Sequence, residues 1–208
     1  MENFIVVEGI CCSGKSTFCA NLQESLNHIS IDSFYNHGAF TYTDSGKAFR
    51  QDAEEKDFTI ATSYYLSDLI ISTQNTIKPK INSHITVIQD RYSDSIATFI
   101  SAYGQYVNKN CNIDRVILEL QKNELLLTPM ITIYCLPSFD TITERMINSK
   151  NSLIHNYYRN HPDFLKIVYE EIIKKIKNSE NSFIVETDSR TNTNEMIANT
   201  IEIIKRNV

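Results

Sequence analysis

Residues Gly9, Gly14, Lys15 and Ser16 satisfy the spacing G-x-x-x-x-G-K-[ST], a pattern that few folds accommodate. The apolar run Phe4-Ile5-Val6-Val7 precedes it, and a helix-compatible stretch from Thr17 to Leu26 follows. That order is strand, loop, helix. The glycines let the backbone close around a polyphosphate, while loop N–H groups and the positive end of the helix point at its oxygens. Along the loop from Gly9 to Thr17, Cys12, Ser13, Gly14 and Thr17 form the cradle. Lys15 is expected to reach the β- and γ-phosphates, and Ser16 to offer its hydroxyl to Mg²⁺.

Further apolar segments suited to strands run from His28 to Tyr35, Ile85 to Gln89, Met130 to Leu136 and Ser182 to Glu186. Helical patterns separate them throughout. Alternation of this kind predicts a five-stranded parallel sheet flanked by helices on both faces, a three-layer α/β sandwich. A chain of 208 residues fits one such domain, with a lid segment at about 146–162. In open parallel sheets the ligand crevice lies beyond the carboxyl ends of the strands. The residues that end these strands are therefore the candidates for chemistry.

Asp90 and Arg91 follow the β-branched segment Ile85-Thr86-Val87-Ile88. A carboxylate there can organise the Mg²⁺ shell, and the adjacent guanidinium offers a planar fork for an anion. Asp32 ends the second segment and has two readings, a turn carboxylate or a group facing the phosphates. The string Asp32-Ser33-Phe34-Tyr35 is similar to that of uridine kinases, in which the aspartate is the base for an acceptor hydroxyl. In the helical stretch from Phe58 to Thr73, Tyr64 and Tyr65 are either core or a stacking platform for a base. Ser95, Thr98 and Phe99 are expected to line the same crevice, and Arg145, with Lys150 or Arg159, to reach over the phosphates. Pro79 to Ser83 reads as a turn, Lys47 to Glu55 as a short helix, and the Asn-rich stretch from Asn148 to Pro162 as a mobile lid or a plain loop. His155 and His161 in that stretch read as solvated, since no partners stand at metal-ligand spacing.

A formal charge of -5 argues against general nucleic-acid binding, which needs clustered Lys and Arg. Five cysteines, Cys11, Cys12, Cys19, Cys111 and Cys135, are odd in number and scattered, so they read as reduced thiols in a cytoplasm. No signal-peptide pattern or membrane-length apolar run is visible, and no membrane partner is expected.

With these motifs in order, the chain resembles thymidylate kinases over essentially its whole length. The resemblance rests on the loop from Glu8 to Thr17, on Asp90-Arg91-Tyr92 followed by Ser95, on the strand Thr128 to Pro137, and on an arginine-bearing lid. It implies ATP·Mg²⁺ as donor, a small-molecule acceptor and, as in many relatives, a homodimer. The string Glu186-Thr187-Asp188-Ser189 matches the place where that family holds adenine, which implies donor contacts from Asp188 and Ser189. Tyr64 matches the aromatic that stacks on the acceptor base.

Three departures concern the acceptor. Cys11 stands where the family has an acid that contacts the acceptor sugar, and Asp68 where it has a base-reading arginine. The family's Arg-Glu-Pro string after the second strand has no counterpart, and Asp32 lies near its place. Two readings follow: phosphoryl transfer to a nucleoside monophosphate gripped by Arg91, or to the hydroxyl of a nucleoside or other small molecule with Asp32 as base. A third reading is a nucleotide-binding regulatory protein without transfer activity, although guanine-reading strings are missing.

Overall fold

The amino-terminal apolar run forms β1 (Phe4–Glu8), buried along its whole length. It lies at the centre of five parallel strands completed by β2 (Ser33–His37), β3 (Thr86–Asp90), β4 (Ile131–Cys135) and β5 (Ser182–Val185), in the order β2-β3-β1-β4-β5. The computed structural model describes residues 3–37, 58–109, 112–149, 153–179, 181–188 and 190–207. The expected helix from Lys47 to Glu55, together with Cys111, Lys150 and Ser189, lies outside the described residues.

Successive strand residues face opposite sides of a sheet, so a strand covered on both sides is apolar at every position. Phe4 and Val6 pack on one side with Leu69, Tyr92 and Ile96, while Ile5 and Val7 pack on the other with Phe18, Leu22 and Ile204. The second group belongs to α1 (Lys15–His28) and α9 (Arg190–Asn207). The first belongs to α2 (Phe58–Ser72), a π-helical turn Thr73–Ile77 leading into α3 (Lys78–Asn82), then α4 (Ser93–Tyr106) and α5 (Ile113–Lys122). A third cluster joins α6 (Phe139–Asn148), α7 (Leu153–Asn160) and α8 (Pro162–Lys177) to α4 around Phe164. Each fully buried Leu, Ile or Phe contributes roughly 1.5–3 kcal/mol to such cores.

Several element boundaries depart from the sequence pattern. Ile29 to Ile31, expected in the second strand, instead close α1: Ser30 takes φ 62, its N–H bonds Asn27 O at 3.1 Å, and the Ile31 N–H bonds Leu26 O at 3.0 Å. Strand β2 therefore begins at Ser33, after Asp32. Pro79 to Ser83 is no simple turn, because the chain from Phe58 continues helically through the π-helical turn into α3, with Pro79 in the first turn of α3. The polar stretch after Asn148 contains a helix, α7, held down by Tyr158, whose ring stacks on Phe164 at 5.8 Å.

Tyr92 ties the tip of β3 to the core. The Leu127 N–H donates to its hydroxyl at 2.9 Å, the hydroxyl lies 3.0 Å from Thr73 Oγ1, and Thr73 Oγ1 donates to Leu69 O at 2.7 Å. Tyr92→Phe leaves a buried N–H without an acceptor, at a cost of about 2 kcal/mol and a fall in Tm of roughly 4–8 °C. Calorimetry checks this, and an unchanged Tm would mean that the chain of hydrogen bonds contributes nothing to stability.

Candidate active site

The parallel register aligns the carboxyl ends of the strands. Val7 and His37 both pair with Asp90, and Glu8 pairs with Tyr134. Chemistry-bearing side chains thus meet at one edge of the sheet. From the end of β1 the chain turns through Gly9 to Gly14 into α1. Gly9 has φ 142, and a Cβ there would lie 2.5 Å from Cys135 O, so no other residue fits. Gly14 caps α1 with φ 89, again a glycine conformation.

Lys15 is buried, and its Nζ donates to Ile10 O at 2.7 Å and to Ser13 Oγ at 3.4 Å. Burial and then the Arg91 charge push its pKa down, while Asp90 and Cys11 pull the other way. Ser16 Oγ donates to Asp90 Oδ2 at 2.7 Å. Burial would push the Asp90 carboxyl up, but the charges of Lys15 and Arg91, the Ser16 hydroxyl and His37 outweigh it and hold it below the usual range. Asp90 Oδ1 is buried and accepts no hydrogen bond from a described residue. An ionised oxygen beside a serine hydroxyl and a phosphate-binding loop is a fitting donor set for Mg²⁺ or one of its waters. No cluster of three or more His, Cys, Asp or Glu side chains suited to a metal occurs among the described residues, so such an ion would draw most of its ligands from phosphate and water.

On one side of the loop lies a cavity of about 90 Å³ lined by Cys11, Tyr65, Arg91, Asp94, Ser95, Thr98, Phe99 and Tyr158, among others. Arg91 lines it, donating from Nη1 to Gly9 O at 3.0 Å and from Nη2 to Cys11 Sγ at 3.3 Å. Beneath it, Glu8 Oε1 accepts from the Tyr92 and Ser95 N–H groups at 2.9 and 3.1 Å, and Oε2 accepts from Ser95 Oγ. Burial and then the charge of Asp94 raise the Glu8 carboxyl to about 7. Tyr158 also lines this cavity, and its side chain is 4% exposed.

On the other side is an open depression of about 880 Å³ lined by Gly14, Thr17, Arg145, Thr187, Asp188 and Asn194, among others. Thr187 Oγ1 donates to Ser13 O at 2.6 Å, which braces the loop against the turn after β5. Arg145 Nη2 donates to Thr187 O at 2.7 Å and its Nη1 lies 3.5 Å from Cys12 O. Asp188 accepts from the Ser138 N–H at 3.1 Å. A roomy, partly polar depression beside such a loop suits a nucleotide's base and ribose.

The structure therefore gathers Lys15, Ser16, Asp90, Arg91 and Arg145 around one loop, with Cys11, Ser95 and Phe99 on its enclosed side. Three candidates fall elsewhere. Asp32 precedes β2, and its carbonyl accepts from the Thr86 N–H at the opposite edge of the sheet. It is exposed, roughly 16 Å along the strand from the His37 tip, too far to act as base for a group on the loop. Tyr64 is exposed and it is the neighbouring Tyr65 that lines the cavity, because the helix turns consecutive residues about 100° apart. Asp68 is buried and lies outside the cavity lining. Arg159 is engaged with the end of α6, donating to Met146 O at 3.0 Å and Ser149 O at 2.8 Å. His155 is half-buried rather than solvated, within 2.9 Å of Ser149 Oγ and 3.8 Å of Cys12 Sγ. Glu8, Tyr35, His37, Tyr158 and Thr187 escaped sequence reasoning. Only Glu8, Tyr35 and Thr187 carried a signal, as members of strings already quoted.

Burial would raise the Cys11 thiol, but the Arg91 guanidinium, a hydrogen bond with His155 and the charges of Lys15 and His155 bring it down to about 6. Alkylation of Cys11 by iodoacetamide is expected to rise between about pH 5 and 7 and to be flat by pH 8, followed as the modified peptide by mass spectrometry. A midpoint near the ordinary thiol value would refute the Arg91–Cys11 contact.

The family model described as thymidylate kinase matches residues 7–197. A thymidylate kinase of Leptospira interrogans is 27% identical over 211 residues, covering 99% of this chain and 95% of the relative. Thymidylate kinases of Brachyspira hyodysenteriae, 27% identical over 85% of this chain and 80% of the relative, and of Mycoplasma capricolum, 26% identical over 85% and 82%, are similar in extent.

Proposed function

This chain belongs to the thymidylate kinase family, and from that premise we propose that the two spaces beside the Gly9–Thr17 loop are the two halves of a phosphoryl-transfer site. The reaction is ATP-dependent phosphorylation of a nucleoside monophosphate. ATP occupies the depression beside Arg145 and Thr187, with its phosphates on the loop. The monophosphate occupies the cavity beside Arg91, Tyr65 and Phe99. The observation that carries this reading is the convergence of Lys15, Asp90 and Arg91 on a single loop that separates the two spaces.

The transfer is mainly positioning and electrostatics. Lys15 leaves Ile10 O and follows the β- and γ-phosphates, and its burial strengthens that attraction. Arg91 turns its free N–H groups to the acceptor phosphate while Gly9 O and Cys11 hold its remaining ones. Ser16 Oγ and Asp90 Oδ1 would hold Mg²⁺, directly or through water, and the ion would supply positive charge against the phosphates. Cys11, a thiolate over most of the neutral range, supplies an anion where relatives of this family carry an acid. Tyr65 and Phe99, with ring centroids 6.3 Å apart, offer aromatic surface for the acceptor base, and Tyr158 offers it a hydroxyl. A phosphate oxygen is itself the nucleophile and needs no base, which agrees with the remoteness of Asp32.

A cytoplasmic location and a paired assembly belong to the same reading. The four described cysteines are free thiols, and no described helix is long and apolar enough to cross a membrane.

Phosphorus NMR of the protein with ATP, Mg²⁺ and a panel of monophosphates and nucleosides, thymidylate included, tests the assignment. Formation of ADP and a nucleoside diphosphate is expected. Phosphorylation of nucleosides with monophosphates left unchanged would overturn it.

A further inference from the structure

Every described donor around Asp90 converges on one of its two oxygens. Oδ2 lies 2.7 Å from Ser16 Oγ, 3.2 Å from the Tyr35 hydroxyl and 3.0 Å from His37 Nδ1. Oδ1, equally buried, receives none from a described residue. An ionised carboxylate only accepts, so all three neighbours must donate. That requirement puts the His37 proton on Nδ1, and the 3.1 Å separation of Tyr35 Oη and His37 Nδ1 is then the approach of two donors to one oxygen.

We propose that Tyr35 and His37 are positioning residues that fix the Asp90 carboxylate with Oδ1 presented to the divalent cation of the phosphate loop. The inference rests on reading Ser16 and Asp90 as the cation's protein ligands. The terminal torsion of an aspartate is broad and nearly two-fold, so an unpinned carboxylate would exchange its two oxygens. Ser16 cannot be the independent pin, because its oxygen is shared with the cation. Tyr35 and His37 can, since both come from β2 and neither belongs to the loop. They stand two residues apart on one strand and so share a face, and the register sets His37 directly beside Asp90. The asymmetry of burial fits this role: the Asp90 side chain is 2% exposed and that of His37 67%, so the histidine reaches inward to the carboxylate from the rim.

Mn²⁺ serves as the probe, bound to the full chain in its ADP complex and followed by the electron paramagnetic resonance signal of free Mn²⁺, which requires no turnover. Tyr35→Phe and His37→Ala are each expected to weaken Mn²⁺ binding about tenfold, and the double variant by up to about 100-fold, as for other groups that orient metal ligands. Affinity for ADP without metal stays unchanged. His37→Asn returns to within about twofold of the wild type, because its amide can donate from nearly the place of Nδ1. Either single variant suffices for the test should the double variant fail to fold. Wild-type Mn²⁺ affinity in the variants, or His37→Asn as weak as His37→Ala, would overturn the inference alone. A wild-type ADP complex that binds no Mn²⁺ would overturn the phosphate-loop reading and this inference with it.

Discussion

Replacement of Lys15 by methionine is expected to lower kcat by about 1,000-fold or more while the fold persists. Methionine keeps most of the volume of the side chain and removes only the charge. Lys15 is 5% exposed, and its ammonium rests on Ile10 O and Ser13 Oγ, partners inside its own loop. A buried ammonium whose pKa has been pushed down by desolvation and by Arg91 is a burden to the folded state. Its removal should therefore leave Tm unchanged or slightly higher. The sign follows from linkage: the folded protein binds this proton less tightly than the unfolded chain, so protonated Lys15 destabilises the fold and its loss cannot. Activity and Tm then move independently. Turnover near the wild-type rate would remove Lys15 from the mechanism, and a collapse of Tm would show that the residue is structural.

Arg91→Met is the second large effect, and it should differ in kind. The expected result is a fall in kcat/KM for the monophosphate of about 1,000-fold, with affinity for ATP changed by no more than about threefold. The difference follows from geometry. Arg91 lines the cavity and is held between Gly9 O and Cys11 Sγ, whereas the depression on the other side is lined by Arg145 and Thr187. A second readout separates this from general damage. Arg91 is the leading charge that lowers the Cys11 thiol, so in the variant the alkylation midpoint should climb from about 6 to beyond the neutral range. An equal loss of ATP and monophosphate binding would argue that Arg91 serves the donor instead. Arg91→Lys should recover little, because a point charge cannot hold Gly9 O and Cys11 while also gripping a phosphate.

The glycine spacing, the apolar runs and their alternation with helical patterns were enough to derive the layered parallel sheet, since each reflects local geometry and two-sided burial. The same signals located Lys15, Ser16, Asp90 and Arg91. Helix ends were harder, for a physical reason. Left-handed residues close α1, α3, α4 and α5 at Ser30, His84, Asn108 and Glu124, with backbone bonds reaching back across the last turn. Such closures are usually marked by glycine, and this chain has only five glycines. With the marker absent, Ile29 and Ile31 carry the pattern of strand residues, which puts Asp32 at the end of β2 where the structure has it before the start.

That error shows where local pattern stops being informative. Moving the start of β2 by a few residues carries a carboxylate from one edge of the sheet to the other and brings His37 to the tip in its stead. Neither residue differs in its own neighbourhood of sequence. What separates them is the hydrogen-bonded register with β3, set by residues some fifty positions away, in which Thr86 meets Ser33 and Asp90 meets His37. Tyr158 belongs to the same class: nothing in an Asn-rich stretch announces a tyrosine in the wall of a cavity, and the packing of its ring on Phe164 holds it there. Backbone conformation and burial period are properties of short segments and can be read from them. Which side chains converge on Asp90 or Arg91 depends on contacts between remote segments, and these exist only once the sheet has assembled.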